Sequence, residues 1–184
     1  DASAFYAYYD ITPEGNFEGG SIPNLLSSDP FSRQFEQYMP SLLEYRAKRH
    51  SLHTDKKILT SWNSLMIAAM CALYMASGEE KYLAAAKKAQ CFIEQKLREG
   101  EGLFVSLAGD KRGARGFLDD YGAYCFARLW LYRAALDKEH LEAAKYICAK
   151  AMADFEDNER GGFYFSGADN EKLILRPKET YDGA

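Results

Sequence analysis

The chain has 184 residues, 47% of them apolar, and a formal net charge of −4. That supplies enough apolar material for a real core, excludes intrinsic disorder, and leaves no basic stripe to follow a phosphate backbone, so nucleic acid is not expected as a main partner. No apolar run reaches the roughly 18 residues of a membrane span. No charged start followed by an apolar segment is visible as a leader; membrane association is not expected, and reduced thiols fit a cytoplasmic protein.

Ala2 to Tyr9 reads as the end of a helix, and Thr12 to Asn24 as a loop built on Pro13, Gly15, Gly19 and Gly20. Pro30 opens a predicted helix running to about Lys48, and His50 to Lys57 is a polar connection. Trp62 to Ser77 is apolar nearly all round, which predicts a helix buried on every side. Gly78 suits the left-handed residue that ends it. Lys81 to Arg98 follows as an amphipathic helix, with Tyr82, Leu83, Ala86, Ala89 and Leu97 on one stripe. Leu103 to Leu107 is extended. Tyr121 to Leu136 is a second nearly apolar helix, carrying only Arg128 and Arg133 as charges. Asp137 caps an amphipathic partner over Glu139 to Phe155. Phe163 to Ser166 and Leu173 to Arg176 are predicted to form a hairpin.

These elements repeat. Leu73 and Tyr74 return as Leu131 and Tyr132, 58 residues on. In the same register Leu83 meets Leu141, Ala86 meets Ala144 and Lys87 meets Lys145. Each unit is helix, tight turn, helix, short strand, and the first helix of each pair is the more apolar. A ring of inner helices inside a ring of outer ones has that alternation, whereas a flat solenoid leaves both helices of a pair amphipathic. The expected fold is all-α: helical hairpins forming part of an (α/α)6 toroid, with short β-hairpins at its rim. Six such units need about 350 residues, so residues 1–184 are expected to be one partial toroid domain, about half a ring. The open flanks of such a piece would expose apolar surface, for which self-association is the expected cover.

The stretch from Asp55 to Met70, DKKILTSWNSLMIAAM, is the most distinctive in the chain. With Arg46, Lys48, Arg49, Asp55, Lys57, Trp62, Asn63, Leu65, Met66 and Ile67, then Leu118, Asp119, Asp120 and Tyr121, then Arg176, Pro177, Lys178, Tyr181, Asp182, Gly183 and Ala184, it resembles the C-terminal region of thioredoxin-domain-containing proteins of the spermatogenesis-associated and bacterial YyaL type. The loop Glu14 to Gly19 also resembles a loop of that family. The resemblance implies an (α/α)6 toroid similar to six-hairpin glycosidases and sugar 2-epimerases, with a thioredoxin-like domain ahead of Asp1 and further chain beyond Ala184. It departs from the family's pattern at Leu52, Lys56 and Ser64, and Lys56 removes a carboxylate from a family acidic pair.

Toroids that act on sugars place carboxylates at the rim of the inner ring, one to protonate a leaving oxygen and another to activate water or the sugar carbon. Asp119 and Asp120, just ahead of the second inner helix, are the catalytic candidates; helix capping is their alternative role. Trp62 as a stacking surface, Asn63 as a hydroxyl partner, Tyr121, Asp55, Arg176 and Asp182 are the candidate substrate-binding residues, with core packing and ion pairing as alternatives. Of the three histidines, His50 and His53 fall in the polar connection, and His140 is expected on the outer surface. The cysteines, Cys71, Cys91, Cys125 and Cys148, form no CxxC pair and read as small buried thiols. Nothing demands a metal, nucleotide or other cofactor. Two function classes stay open: a carbohydrate-binding or carbohydrate-active toroid of glycoside hydrolase or epimerase type with a sugar ligand, and a non-catalytic binding or scaffolding module attached to a thioredoxin-like redox domain.

Overall fold

The computed structural model describes residues 2–49, 54–168, 170 and 174–178. It divides into two compact units, Asp1–Thr54 and Asp55–Ala184.

In the first unit, α1 (Ala2–Tyr8) stands on an aromatic cluster in which Phe5 meets Phe35 edge-on at 5.3 Å between ring centres. The loop after it is closed from within. Asn16 donates to Asp10 Oδ2 at 3.1 Å and accepts from the Ile22 amide at 2.7 Å, while Asn24 donates to the same carboxylate at 2.9 Å. Gly15 has a positive φ of 74°, and a Cβ there would stand 2.4 Å from the Gly20 carbonyl oxygen, so the loop admits only glycine at that position. The helix predicted from Pro30 starts later: a single 3₁₀ turn at Glu36–Tyr38 leads into α2 (Met39–Ala47). Asp29 Oδ1 accepts from the Phe31 amide at 2.9 Å, a local turn that competes with helix over these residues.

The second unit carries the two hairpins. After β1 (Ile58–Leu59) come α3 (Thr60–Ser77) and α4 (Glu80–Phe92), the latter continued by a π turn over Ile93–Leu97. Strands β2 (Arg98–Glu99), β3 (Gly102–Leu103), β4 (Ser106–Ala108) and β5 (Lys111–Arg112) lead to α5 (Leu118–Ala135) and α6 (Lys138–Phe155). With the π turn counted in, the helices begin and end within three residues of their predicted limits. Gly78 takes the left-handed conformation at φ 70°, and Asp137 accepts from the Glu139 amide at 3.0 Å, so both expected caps are present.

The inner helices α3 and α5 lie side by side, each backed by its own outer partner. Ile67, Cys71, Tyr124, Ala127 and Leu131 from the inner helices meet Leu83, Ala86, Ile93, Leu97, Ile147 and Phe155 in one core. β1 pairs antiparallel with β4, and β4 with β5, at the end where the inner helices begin. Of the predicted hairpin near the C-terminus, Leu173 lies outside the described residues. The described part is irregular, joined by the Phe165 amide donating to the Pro177 carbonyl at 2.8 Å.

Two expectations need correction. The inner helices are not buried all round: α3 leaves Trp62, Leu65, Met66, Leu73 and Met75 exposed, and α5 leaves Phe126 and Leu129 exposed. Within this unit each inner helix has one inner neighbour, where a closed ring supplies two. Nor are the thiols uniformly buried. Cys71 is enclosed, and burial pushes its thiol up to about 11. Cys91 and Cys148 are exposed on the outer helices α4 and α6.

Candidate functional site

The starts of α3 and α5 meet at one end of the second unit. Asp120, in the first turn of α5, is 2% exposed. Its Oδ2 accepts from the Phe117 amide at 3.0 Å and closes the start of its own helix. Its Oδ1 accepts from the Ser61 amide at 3.2 Å, at the start of the neighbouring inner helix. One carboxyl therefore serves two of the orphan donors that helix N-termini present. Burial pushes it up to about 7, against the pull of the Phe117 N–H, and the nearby Asp119 charge adds to the rise.

Asp119 is exposed, and its Oδ1 accepts from the Asp120 amide at 3.0 Å. Trp62, next to Ser61, is 62% exposed. Asn63 is half-buried, and its amide donates back to the Leu59 carbonyl at 2.8 Å instead of accepting from a helix N–H. Trp62, Asn63, Asp119 and Asp120 are thus brought to the same pair of helix starts, through the Ser61–Asp120 contact.

The other candidates are engaged elsewhere. Tyr121 belongs to the core and is removed from the rim: its hydroxyl accepts from the Leu103 amide at 3.1 Å, and its ring lies 5.3 Å from that of Phe155. The first turn of α5 directs Asp119 outward and Tyr121 inward, because successive residues on a helix diverge by about 100°. Asp55 is exposed and pairs with Lys57 at 3.1 Å. Arg176 donates to the Ser166 carbonyl at 2.6 Å and the Asp154 carbonyl at 2.9 Å, and its guanidinium lies 4.3 Å from the centre of the Tyr164 ring. It fastens the C-terminal segment to the end of α6. Asp182 lies outside the described residues, as do His50 and His53.

Several contributors to this rim were not singled out from the sequence. Thr60 is fully buried, with its amide donating to the Val105 carbonyl at 2.9 Å and its hydroxyl to the Phe104 carbonyl at 2.5 Å, which ties the start of α3 to the strands. The Phe165 carbonyl accepts from the Leu118 amide at 3.0 Å, and the Phe165 ring stacks on Phe117 at 4.6 Å. The signal for Ser61 was present: the 58-residue repeat sets Trp62 against Asp120, one residue from the observed contact. His140 is a correction. Expected on the surface, it is buried, and its Nδ1 has no partner among the described residues; burial first and Arg128 second hold it below the usual imidazole range. Among the described residues no cluster of histidine, cysteine and carboxylate side chains fit to hold a metal occurs, and no helix is long and apolar enough to cross a membrane.

The sequence matches no protein-family model. It is 31% identical over 147 residues to the uncharacterized protein B0495.5 of Caenorhabditis elegans, covering 76% of this chain and 20% of that protein. It is 29% identical over 157 residues to spermatogenesis-associated protein 20 of Mus musculus, covering 79% of this chain and 20% of that protein. The chain is homologous to these proteins and spans about one fifth of their length. Among solved structures, it is similar to cellobiose 2-epimerase from Spirochaeta thermophila, with a TM-score of 0.54 and 18% identity over 60% of this chain and 29% of that one. It is also similar to a GH76 α-mannanase from Bacteroides thetaiotaomicron, with a TM-score of 0.52 and 15% identity over 89% of this chain and 39% of that one. The helical hairpins have the fold of part of an (α/α)6 toroid, as in these two structures.

Proposed function

We propose that this chain is part of a carbohydrate-binding toroid, with the ligand at the rim where α3 and α5 begin. The observation that carries the reading is the Ser61–Asp120 contact, which sets an exposed indole and an exposed carboxylate on either side of one junction. An aromatic face suits the apolar face of a sugar ring, and Asn63 beside it offers hydrogen-bonding capacity for hydroxyls.

The two aspartates then divide their roles. Asp120, buried and bound to two backbone N–H groups, is a positioning residue that locks the helix starts together. Asp119 is the group free to exchange a proton with a ligand oxygen. Its counterpart in an acid–base pair would come from another hairpin of the whole ring, so the reaction, hydrolysis or epimerisation, is a property of the longer protein.

The test is binding of neutral mono- and disaccharides to the full-length protein by calorimetry, with products followed by chromatography. Trp62→Ala is expected to weaken binding at least tenfold while leaving stability within about 0.5 kcal/mol, because the side chain is exposed. Asp119→Asn is expected to keep binding and abolish any turnover. Undiminished affinity in Trp62→Ala overturns the rim as the site, and binding without turnover in the parent protein favours a non-catalytic module.

A further inference from the structure

Arg128 lies in the middle of α5 with its side chain 3% exposed. Its Nε–H has no partner among the described residues. Its terminal nitrogens pair with Glu94 at 3.6 Å and Glu139 at 3.8 Å, both beyond hydrogen-bonding distance. A guanidinium carries five N–H donors, and one buried with so few acceptors calls for something else to supply them. Above it opens a cleft of about 480 Å³ between α4 and α6, walled by Gln90, Glu94, Arg98, Glu139 and Tyr146. That volume is in the range of small-molecule sites.

The walls define what fits. Glu94 is engaged already: one oxygen accepts from Arg98 at 2.8 Å and the other from the Tyr124 hydroxyl at 2.5 Å. Glu142, also lining the cleft, pairs with Lys145 at 2.8 Å. The groups that can meet a ligand include the terminal donors of Arg128, the exposed carboxylate of Glu139, the Gln90 amide and the Tyr146 ring, near which Arg98 also lies at 5.5 Å. A second anion on Arg128 would meet Glu94 and Glu139, and a cation would meet a buried guanidinium. A neutral ligand escapes both conflicts if it offers lone pairs to Arg128 and hydroxyl donors to Glu139.

We propose that this outer cleft binds a neutral polyhydroxylated ligand, a saccharide unit, through Arg128 and Glu139 with Tyr146 against its ring. The site is separate from the rim: Arg128 stands eight residues along α5 from Asp120, about 12 Å at the rise of an α-helix.

The test follows the Arg128 Nε–H resonance in the ¹⁵N-labelled chain during titration with cellobiose, mannobiose, sodium acetate and sodium phosphate. The expected result is a saturable shift with a neutral disaccharide, weakened at least tenfold by Glu139→Ala or by Tyr146→Ala and unchanged in Trp62→Ala. That last arm separates this cleft from the rim. Saturation by acetate or phosphate in place of the disaccharides overturns the proposal in favour of an anion site. A resonance that no solute moves and that exchanges with water overturns it in favour of a hydrated cleft.

Discussion

At the scale of single residues, Asp120 joins a capping role to a titration in the physiological range. Its carboxyl is pushed up to about 7 by burial, so the folded chain retains a proton that the unfolded chain releases near pH 4. The resulting stabilisation is fully present below about pH 4 and is lost as the pH rises through about 7. At roughly 1.4 kcal/mol per unit, the whole range amounts to at most about 4 kcal/mol. Asp120→Asn keeps one acceptor and does not titrate. Its stability relative to the native chain is therefore expected to improve steadily between pH 4.5 and 7.5 in urea melts, and parallel profiles would refute the assignment. Asp157 shifts the opposite way, because Lys178 and backbone N–H groups hold its carboxyl well below the usual range. It titrates alike in both proteins and cancels in the difference.

At the scale of elements, the helices were legible because long segments repeat a pattern and carry their own punctuation at Gly78 and Asp137. The strands were only partly legible: β1 and β5 have two residues each, too few for a period of two to register. His140 shows a different failure. It stands four and seven residues ahead of Ala144 and Ile147, all buried, so the helical spacing itself directs it inward, and the polar residue type misdirected the reading. In the site, the meeting of the two helix starts followed from the repeat, and the inward turn of Tyr121 follows from helical spacing, three and seven residues ahead of buried Tyr124 and Arg128, whereas its contacts with Phe155 and the Leu103 amide join elements distant in sequence. Phe155, 1% exposed, anchors the end of α6. Phe155→Ala is expected to lower unfolding free energy by about 3–5 kcal/mol. Lys145→Ala, on the exposed face of the same helix, loses only a surface ion pair with Glu142 and is expected to stay within about 0.5 kcal/mol. Chemical denaturation of both variants checks the contrast.

At the scale of the whole molecule, the second unit carries exposed Leu65, Met66 and Leu73 on one face of α3. Contiguous apolar surface beyond a few hundred Å² is uncommon on soluble monomers. In a complete ring of the kind the comparison structures possess, a neighbouring hairpin would lie on such a face. The chain by itself is expected to pair with a second copy through it. Sedimentation at micromolar concentration should show a dimer that Leu65→Glu returns to monomer. A monomer in both would count against the pairing.

The shared carboxyl at the junction of the inner helices also bears on how the unit comes apart. In a stack of hairpins, each normally contributes its own stability plus a term for its neighbour, and the ends fray independently. Here the start of one hairpin is completed by a side chain from the next: the Ser61 amide depends on Asp120. Releasing either hairpin exchanges that bond for bonds to water and uncovers the core shared by α3 and α5, which disfavours partly opened states. The two hairpins should therefore open as one cooperative unit, with slow amide exchange in α3 and α5 governed by a common opening event.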